Sequence, residues 1–231
     1  MARSFAAKGR DLALCARRTY RRDELKAELS QQYPAIKIAV AALDVNHHEQ
    51  VPKVFAELSD ELGGIDRIIV NAGIGKGARL GSGKLWANKA TIETNLVAGL
   101  VQIETALEMF AKIGSGHLVL ISSVLGNKGV PGVKAAYAAS KAGIRSLGES
   151  LRAEYASGPI KVSVLEPGYI ESEMTAKSAS TLFMVDNATG VKALVDAIER
   201  EPRPGDGAVV AGGPLVQLMR ALPPRLTQRF A

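Results

Sequence analysis

Short apolar segments of strand length alternate along the chain with longer segments in which apolar residues recur every three or four positions. The strand-like segments are 11–16, 36–43, 66–70, 117–121, 160–165 and 207–211. The helix-like segments are 20–32, 47–62, 84–113, 134–157 and 187–200. Regular alternation of strand and helix predicts a parallel sheet. Because the strands are almost continuously apolar, the pattern predicts a doubly wound α/β fold of the Rossmann type, with helices on both faces.

The first predicted helix has no strand before it. Residues 2–8 have the composition of a helix that ends at Gly9, and the first strand-like segment follows directly. In a nucleotide-binding α/β domain, a strand and a glycine-rich turn precede this helix. The glycines between positions 73 and 83 match neither G-x-G-x-x-G nor a Walker loop. We therefore expect the first strand to be absent, which leaves a gap in the sheet.

Two regions are expected: one domain over residues 1–212, incomplete at its N-terminus, and an amphipathic tail over residues 213–231. In the tail, four apolar residues fall on one stripe of a short helix: Leu215, Leu218, Met219 and Leu222. The expected partner of this stripe is a second subunit. An anionic membrane surface is the weaker alternative, because two helical turns offer little apolar area.

Composition excludes several classes of protein. Hydrophobic residues make up 47% of the 231 positions and charged residues 23%, which is typical of globular proteins. Cys15 is the only cysteine, and the three histidines include no pair at i, i+4 spacing, so a disulfide framework or a metal centre is not expected. No apolar run is long enough to span a bilayer or to form a signal peptide, and a cytoplasmic location is expected.

The net charge of +6 is concentrated at the N-terminus. Residues 1–22 contain seven cations and one acid: Arg3, Lys8, Arg10, Arg17, Arg18, Arg21, Arg22 and Asp11. This cluster is interpreted either as a solvated surface or as a phosphate-binding corner. Nucleic-acid binding is not expected, because the cations do not alternate with aromatic residues.

The candidate chemistry lies in the middle of the chain. Tyr137 and Lys141 are four residues apart in a helical segment, so both side chains lie on one face. A tyrosine that works as an acid or base near neutral pH needs its pKa lowered by roughly 3 units, and an ammonium about 4 Å away supplies that much. Ser123 follows the strand at 117–121, at the edge of a parallel sheet where ligands bind.

Other strand ends carry residues of the same character. Asn71, Ala72 and Gly73 follow the strand at 66–70, where small residues allow a ligand close to the backbone. Asn95, a poor helix former, interrupts the helix-like segment 84–113 and has a side chain able to hold a water. Pro167 and Gly168, which are typical of a turn, follow the strand at 160–165.

These motifs together resemble the short-chain dehydrogenase/reductase family, of the classical type, from Met1 to about Val210. They are N-A-G at 71–73, Asn95, I-S-S at 121–123, Y-A-A-S-K at 137–141 and P-G-Y-I-E-S at 167–172. The resemblance implies that Tyr137 is the acid/base, that Lys141 modifies its pKa and binds ribose, and that Ser123 orients the substrate oxygen. It further implies that Asn95 anchors a water-linked proton relay.

The expected cofactor is NADP. Arg17 and Arg18 follow a strand at the place where arginine pairs with a 2'-phosphate and an acidic residue would repel it. Asp44 resembles the family residue that contacts the adenine amino group. The resemblance also brings further residues to the cofactor: Asn71, Ala72 and Gly73, the nicotinamide-lining Pro167, Gly168 and Ile170, and Ser172 at the amide.

The resulting prediction is an NADP(H)-dependent oxidoreductase that moves hydride between nicotinamide and a carbonyl or alcohol substrate. The substrate is expected to be apolar because the segments that should line the pocket are apolar: Leu125, Val130, Val133, Tyr169, Met174, Leu182, Phe183 and Met184. The family implies a homo-oligomer, either a dimer or a tetramer. The alternative is a catalytically inactive binding or scaffold protein derived from the family.

The missing glycine turn has two explanations. Either Met1 is an internal methionine of a longer natural protein, or the chain is a truncated form that has lost activity. The first is favoured because the downstream catalytic set is intact, whereas an inactive form would be free to lose Tyr137 or Lys141.

Overall fold

The computed structural model describes residues 1–175 and 184–200. The helices in these ranges are α1 (Ala2–Ala6), α2 (Thr19–Gln32), α3 (Val51–Leu62), α4 (Leu85–Ile92), α5 (Ala98–Ile113), α6 (Ala135–Glu154) and α7 (Asn187–Glu199). The strands are β1 (Leu12–Ala16), β2 (Ile38–Ala42), β3 (Arg67–Val70), β4 (Gly116–Ile121), β5 (Ile160–Leu165), β6 (Tyr169–Ile170) and β7 (Met184–Val185). The predicted strand at 207–211 and the tail at 213–231 lie outside the described residues.

The strands pair in parallel, as predicted. β1 pairs with β2, with Leu12 opposite Ile38. β4 lies between β3 and β5, and Leu120 is opposite both Val70 and Val164. Among the described strands, these two sheets are not hydrogen-bonded to each other, in agreement with the expected gap. The short pair β6–β7, also parallel, was not predicted.

Apolar packing covers both faces of the sheets, which confirms the doubly wound α/β arrangement. Leu118 belongs to a cluster that includes residues of α3, α5 and α6. The largest fully buried side chain of this cluster is that of Phe110. Val119, the neighbour of Leu118, belongs to a second cluster, with Leu29 of α2 and Ile198 of α7. Successive residues of a strand point to opposite faces, so an apolar strand of this kind needs helices on both sides.

The predicted helix at 84–113 is not uniform. A π-helical segment, Glu93–Val97, separates α4 from α5. A π segment widens the helix by one residue and often occurs at functional sites. Here it contains Asn95, the residue whose poor helix propensity had already marked this position.

In residues 1–175 and 184–200, no helix combines the length and apolar content that crossing a membrane requires.

Candidate active site

The polar residues predicted from the sequence follow three adjacent strands. β3 ends at Val70, β4 at Ile121 and β5 at Leu165, and the three strands run in the same direction. Their carboxyl ends therefore meet at one edge of the sheet, where α/β folds bind ligands. The segments that follow them come together with α6 at this edge.

Tyr137, Ser123 and Lys141 lie close together. A hydrogen bond links the side chains of Tyr137 and Ser123. The ammonium of Lys141 lies 5.9 Å from the centre of the Tyr137 ring and donates to the carbonyl of Ile121 at 2.8 Å. The i, i+4 spacing places Tyr137 and Lys141 on one face of α6. Ser123 lies in the turn that directly follows β4.

The turn that carries Ser123 is held directly against α6. The hydroxyl of Ser122 donates to the carbonyl of Lys141 at 2.8 Å, and the Ser123 hydroxyl accepts from the amide of Leu125 at 3.2 Å. A Cβ added to Gly126 would lie 2.8 Å from the carbonyl carbon of Lys141. Only glycine allows this approach, so the turn fixes Ser123 relative to the helix that carries Tyr137.

Burial controls the pKa values of the two titratable residues. Burial raises the pKa of Tyr137, and the hydrogen bond from Ser123 opposes this rise only in part. Burial also lowers the pKa of Lys141, to about 8. The sequence predicts that the Lys141 ammonium lowers the tyrosine pKa, but in this structure burial dominates and the opposing contribution comes from Ser123.

The amide of Asn95 clamps the start of the segment after β3. Its oxygen accepts from the amide of Ile74 at 2.7 Å, and its nitrogen donates to the Ile74 carbonyl at 3.0 Å and to the Ser140 hydroxyl at 3.1 Å. Both amide hydrogens are thus used within the protein. Its oxygen retains acceptor capacity for the predicted water. A Cβ on Gly73 would lie 3.3 Å from that oxygen, so a small residue is favoured there.

Lys141 fits the role of a ribose ligand. Its side chain is buried, and within the described residues no carboxylate pairs with its charge. A buried ammonium normally has strong acceptors around it, and here its protein partner is one neutral carbonyl. The hydroxyls of a nicotinamide ribose are acceptors of the kind that this position lacks.

The arginines predicted to bind the cofactor phosphate form ion pairs with carboxylates. Arg17 lies 3.8 Å from Asp44, and Arg18 pairs with Glu173 at 3.0 Å. Arg21 of α2 also pairs with Glu173. The sequence placed Arg21 in the basic cluster but did not predict Glu173 or its pairing with these arginines, because the two segments are far apart in the chain and Glu173 belongs to no motif.

The other basic residues near the N-terminus have acidic partners as well. Arg3 pairs with Glu28 at 2.6 Å, Arg10 with Glu199 at 2.7 Å, and Arg22 with Asp23 at 2.8 Å. The local excess of charge in residues 1–22 is therefore largely offset by carboxylates from other segments.

The remaining predicted cofactor residues lie on the segments after β3 and β5. Asn71 is exposed, and Ala72 is half-buried. The carbonyl of Pro167 accepts from the amide of Val124 at 3.1 Å, which connects the segment after β5 to the turn that carries Ser123. Gly168 is half-buried beside it.

Ile170 and Ser172 make contacts that the sequence did not predict. The Ile170 side chain packs against α7, where a Cβ on Gly190 would lie 2.7 Å from it. The Ser172 hydroxyl lies 3.2 Å from that of Thr175, which itself donates to the Ile170 carbonyl at 2.8 Å. These contacts stabilise the turn after β6.

A buried polar network behind the site was also missed. Glu166 is fully buried, and its carboxylate lies 2.8 Å from the Arg145 guanidinium and accepts from the Asn127 amide at 3.0 Å. Arg145 also donates to Asn127 at 2.6 Å. The network joins α6, the turn after β4 and the end of β5. A glutamate that ends an apolar strand directly before Pro-Gly was the available signal.

The wall beside Tyr137 is apolar. Leu125, Val130 and Ala138 are buried in a small cluster that contacts the tyrosine. Val133 and Met174 remain half-exposed. Two predicted lining residues, Leu182 and Phe183, lie outside the described residues.

A set of tyrosine, lysine, serine and asparagine side chains at the carboxyl edge of a Rossmann-type sheet is typical of short-chain dehydrogenases/reductases. The family model described as short chain dehydrogenase matches residues 1–182. The chain belongs to this family of oxidoreductases, and its classical type is confirmed.

Relatives and solved structures agree with this assignment. An uncharacterized oxidoreductase of Mycobacterium tuberculosis is 83% identical over all of this chain and 91% of its own length. Dehydrogenase/reductase SDR family member 7B of Danio rerio is 32% identical over 78% of this chain and 59% of its own length.

Two structures illustrate the shared fold. NADPH-dependent 3-quinuclidinone reductase from Rhodotorula rubra has a TM-score of 0.79 at 24% identity, over 93% of this chain and 85% of its own. A 3-oxoacyl-[acyl-carrier protein] reductase from Brucella melitensis in complex with NAD also has a TM-score of 0.79 at 24% identity, over 94% of this chain and 91% of its own.

Proposed function

We propose that this oxidoreductase uses NADP(H) to interconvert an apolar carbonyl compound and its alcohol. The observation that carries the proposal is the placement of Tyr137, hydrogen-bonded to Ser123 and one turn from Lys141, at the carboxyl edge of the parallel sheet. The intact set favours turnover over a purely binding role.

Tyr137 acts as the acid in carbonyl reduction. Its raised pKa keeps the phenol protonated at neutral pH, so the hydroxyl is available to donate to a substrate oxygen. Ser123 holds that oxygen by a second hydrogen bond. The nicotinamide, when bound, supplies the hydride to the carbonyl carbon. In alcohol oxidation Ser123 holds the alcohol, and Tyr137 takes the proton of the alcohol as a phenolate, after it has released its own proton to solvent.

Lys141 and Asn95 support this proton transfer. The ammonium binds the ribose hydroxyls and lowers the cost of negative charge on Tyr137 once these acceptors surround it. Asn95 holds the water that begins the relay of protons from solvent, through the free acceptor capacity of its oxygen. The small residues Ala72 and Gly73 with Asn71, and Pro167, Gly168, Ile170 and Ser172, border the cofactor.

The arginines at the end of β1 support NADP as the cofactor. Arg17 and Arg18 both lie at this strand end, and a 2'-phosphate carries the two negative charges that such a pair binds well. Asp44, 3.8 Å from Arg17, is the residue that we assign to the adenine amino group. Solved structures of the same fold include complexes with NADP and with NAD, so the proposal of NADP rests on the two arginines.

The apolar cluster around Tyr137 supports an apolar substrate. Leu125 and Val130 contact the tyrosine cluster, and neither brings a charge that would hold a carboxylate or phosphate. Assembly as a homo-oligomer, a dimer or tetramer, is part of the proposal because family members of this kind assemble in that way.

The reaction is tested by following NADPH consumption with hydrophobic ketones and aldehydes, and with a small charged keto acid for comparison. Tyr137→Phe should lower turnover roughly 100-fold or more while cofactor binding stays nearly intact. Tyr155→Phe, at the end of the same helix, is the matched control. Turnover of Tyr137→Phe within a few fold of the parent, or a preference for the keto acid, would contradict the proposal.

Cofactor choice is tested by titrating NADPH and NADH against the double variant Arg17→Ala, Arg18→Ala. A charge-assisted pair contributes about 1.5–3 kcal/mol, so NADPH affinity should fall roughly tenfold or more, with little change for NADH. Equal affinity of the parent protein for the two cofactors would refute the assignment.

A further inference from the structure

A projecting basic and apolar segment runs from the loop after β3 into the first turns of α4, outside the proposed catalytic set. We call residues 76–89 the basic turn. Its four cations are exposed: Lys76, Arg79, Lys84 and Lys89. No aspartate or glutamate occurs in the sequence between Asp66 and Glu93.

Three large apolar side chains project from the same segment. Leu80 is 68% exposed, Leu85 is 74% exposed and Trp86 is 67% exposed. They are the three most exposed large apolar side chains in the described part of the chain. Burying such side chains is normally favourable, so their exposure beside four cations calls for a partner.

The basic turn is exposed at its tip and anchored at its base. Residues 79–86 are all exposed, and a turn closes where the Ser82 amide donates to the Arg79 carbonyl at 3.1 Å. At its base, the Asn88 side chain accepts from the amide of Ala78 at 2.9 Å, and the Thr91 hydroxyl donates to the Lys76 carbonyl. The segment is therefore an exposed projection on a fixed base.

Charge and shape together identify the kind of partner. A second copy of the chain that met this surface with its own basic turn would bring cations against cations, which is unfavourable. A partner must instead be negatively charged and able to accept projecting apolar side chains. An anionic phospholipid surface meets both requirements, because its phosphates attract lysine and arginine and its headgroup region accommodates tryptophan and leucine.

We propose that the basic turn docks the protein on the surface of an anionic phospholipid bilayer. Leu80, Leu85 and Trp86 insert among the headgroups, and the four cations lie against lipid phosphates. The contact is peripheral and does not depend on the proposed reaction. Ile74, two residues before the basic turn, is held by Asn95, so docking brings the proposed catalytic edge of the sheet close to the membrane surface.

The test uses Trp86, the only tryptophan of the chain, as a built-in probe. The full-length protein is mixed with vesicles of phosphatidylglycerol and phosphatidylcholine, or of phosphatidylcholine alone. Transfer of an exposed indole into headgroups should shift its emission to shorter wavelength with the anionic vesicles, and lipids brominated in the acyl chain should quench it. The shift should weaken as salt is raised.

Vesicle sedimentation with variants locates the contact. Lys84→Gln with Lys89→Gln should weaken binding to anionic vesicles roughly tenfold or more, as should Leu85→Ser with Trp86→Ser. The matched controls, Lys53→Gln with Lys112→Gln and the exposed Ile113→Ser, should bind like the parent.

Three outcomes would overturn the proposal. One is an emission spectrum unchanged by anionic vesicles. Another is vesicle binding that the variants of the basic turn leave intact, which would place the contact elsewhere on the chain. The third is an emission shift that appears on raising the protein concentration without lipid, which would assign the surface to a second copy.

Discussion

Lys141 carries a positive charge in a buried position, and its replacement should make the folded protein more stable while abolishing turnover. Burial alone lowers the pKa of this lysine from 10.5 to about 8. A change of this size means that the charged lysine destabilises the folded state by about 3 kcal/mol. Lys141→Met keeps the aliphatic stem and removes the charge. Allowing for the lost hydrogen bond to Ile121, we expect the free energy of unfolding at pH 7 to rise by about 1–3 kcal/mol.

The pH dependence of this gain identifies its cause. Below pH 8, the folded and unfolded parent chains both hold the lysine proton, and the full cost is present. As the pH rises from about 8 toward 10.5, the folded chain releases the proton first, so the parent gains stability. The advantage of Lys141→Met should therefore shrink over this interval. Urea denaturation at pH 7 and again near pH 10 measures both values.

A matched control separates charge burial from a general effect of methionine. Lys53→Met replaces an exposed lysine of α3 and should change stability by about 0.5 kcal/mol or less. If Lys141→Met is less stable than the parent at pH 7, or if its advantage is the same at both pH values, the charge is not costly and the reasoning fails. Retained carbonyl reduction in this variant would contradict the proposed role of Lys141.

Three further predictions concern groups around the site and the sheet. Burial lowers the pKa of His117 to about 4, so between pH 6.5 and pH 4 the unfolded chain binds a proton that the folded chain does not bind. The free energy of unfolding should therefore fall by about 3 kcal/mol over this interval. In urea titrations, His117→Gln should make this fall smaller. Glu173→Gln should tighten NADPH but not NADH in binding titrations, because it frees the guanidinium of Arg18; an equal change for both cofactors would contradict this. Asn127→Ala should lower thermal stability by about 1–3 kcal/mol, because the buried Glu166 loses a donor, whereas an unchanged melting temperature would show that this bond is dispensable.

Local patterns were enough to predict the main elements and the catalytic core. The strand at 117–121 was predicted from its apolar run, and the structure places it at Gly116–Ile121 in the middle of a parallel sheet. The spacing of Tyr137 and Lys141 placed both on one helical face, and their contact follows from that spacing. These predictions succeeded because strand pleating and the helical repeat depend on neighbouring residues.

Predictions that depended on distant contacts fared less well. The tyrosine pKa was expected to fall because an ammonium is close in sequence, but the shift depends on burial, which the whole fold determines. The helix predicted at 84–113 is present, but the π segment within it, whose Asn95 bonds to Ile74 after β3, was not predicted. The pairing of Arg18 with Glu173 joins two segments that no motif relates.

Three properties could therefore be predicted from the sequence alone: the order of strands and helices, the burial of the sheet on both faces, and the residues of the proposed site. These properties follow from side-chain periodicity and from residue types at strand ends, which are readable one segment at a time. Three other features could be known only from the folded structure: the carboxylates that pair with the arginines, the contact of Glu166 with Arg145 of α6, and the exposure of Trp86. The physical reason is that burial, ion pairing and exposure depend on segments brought together in space, and their energies arise only when the chain has folded.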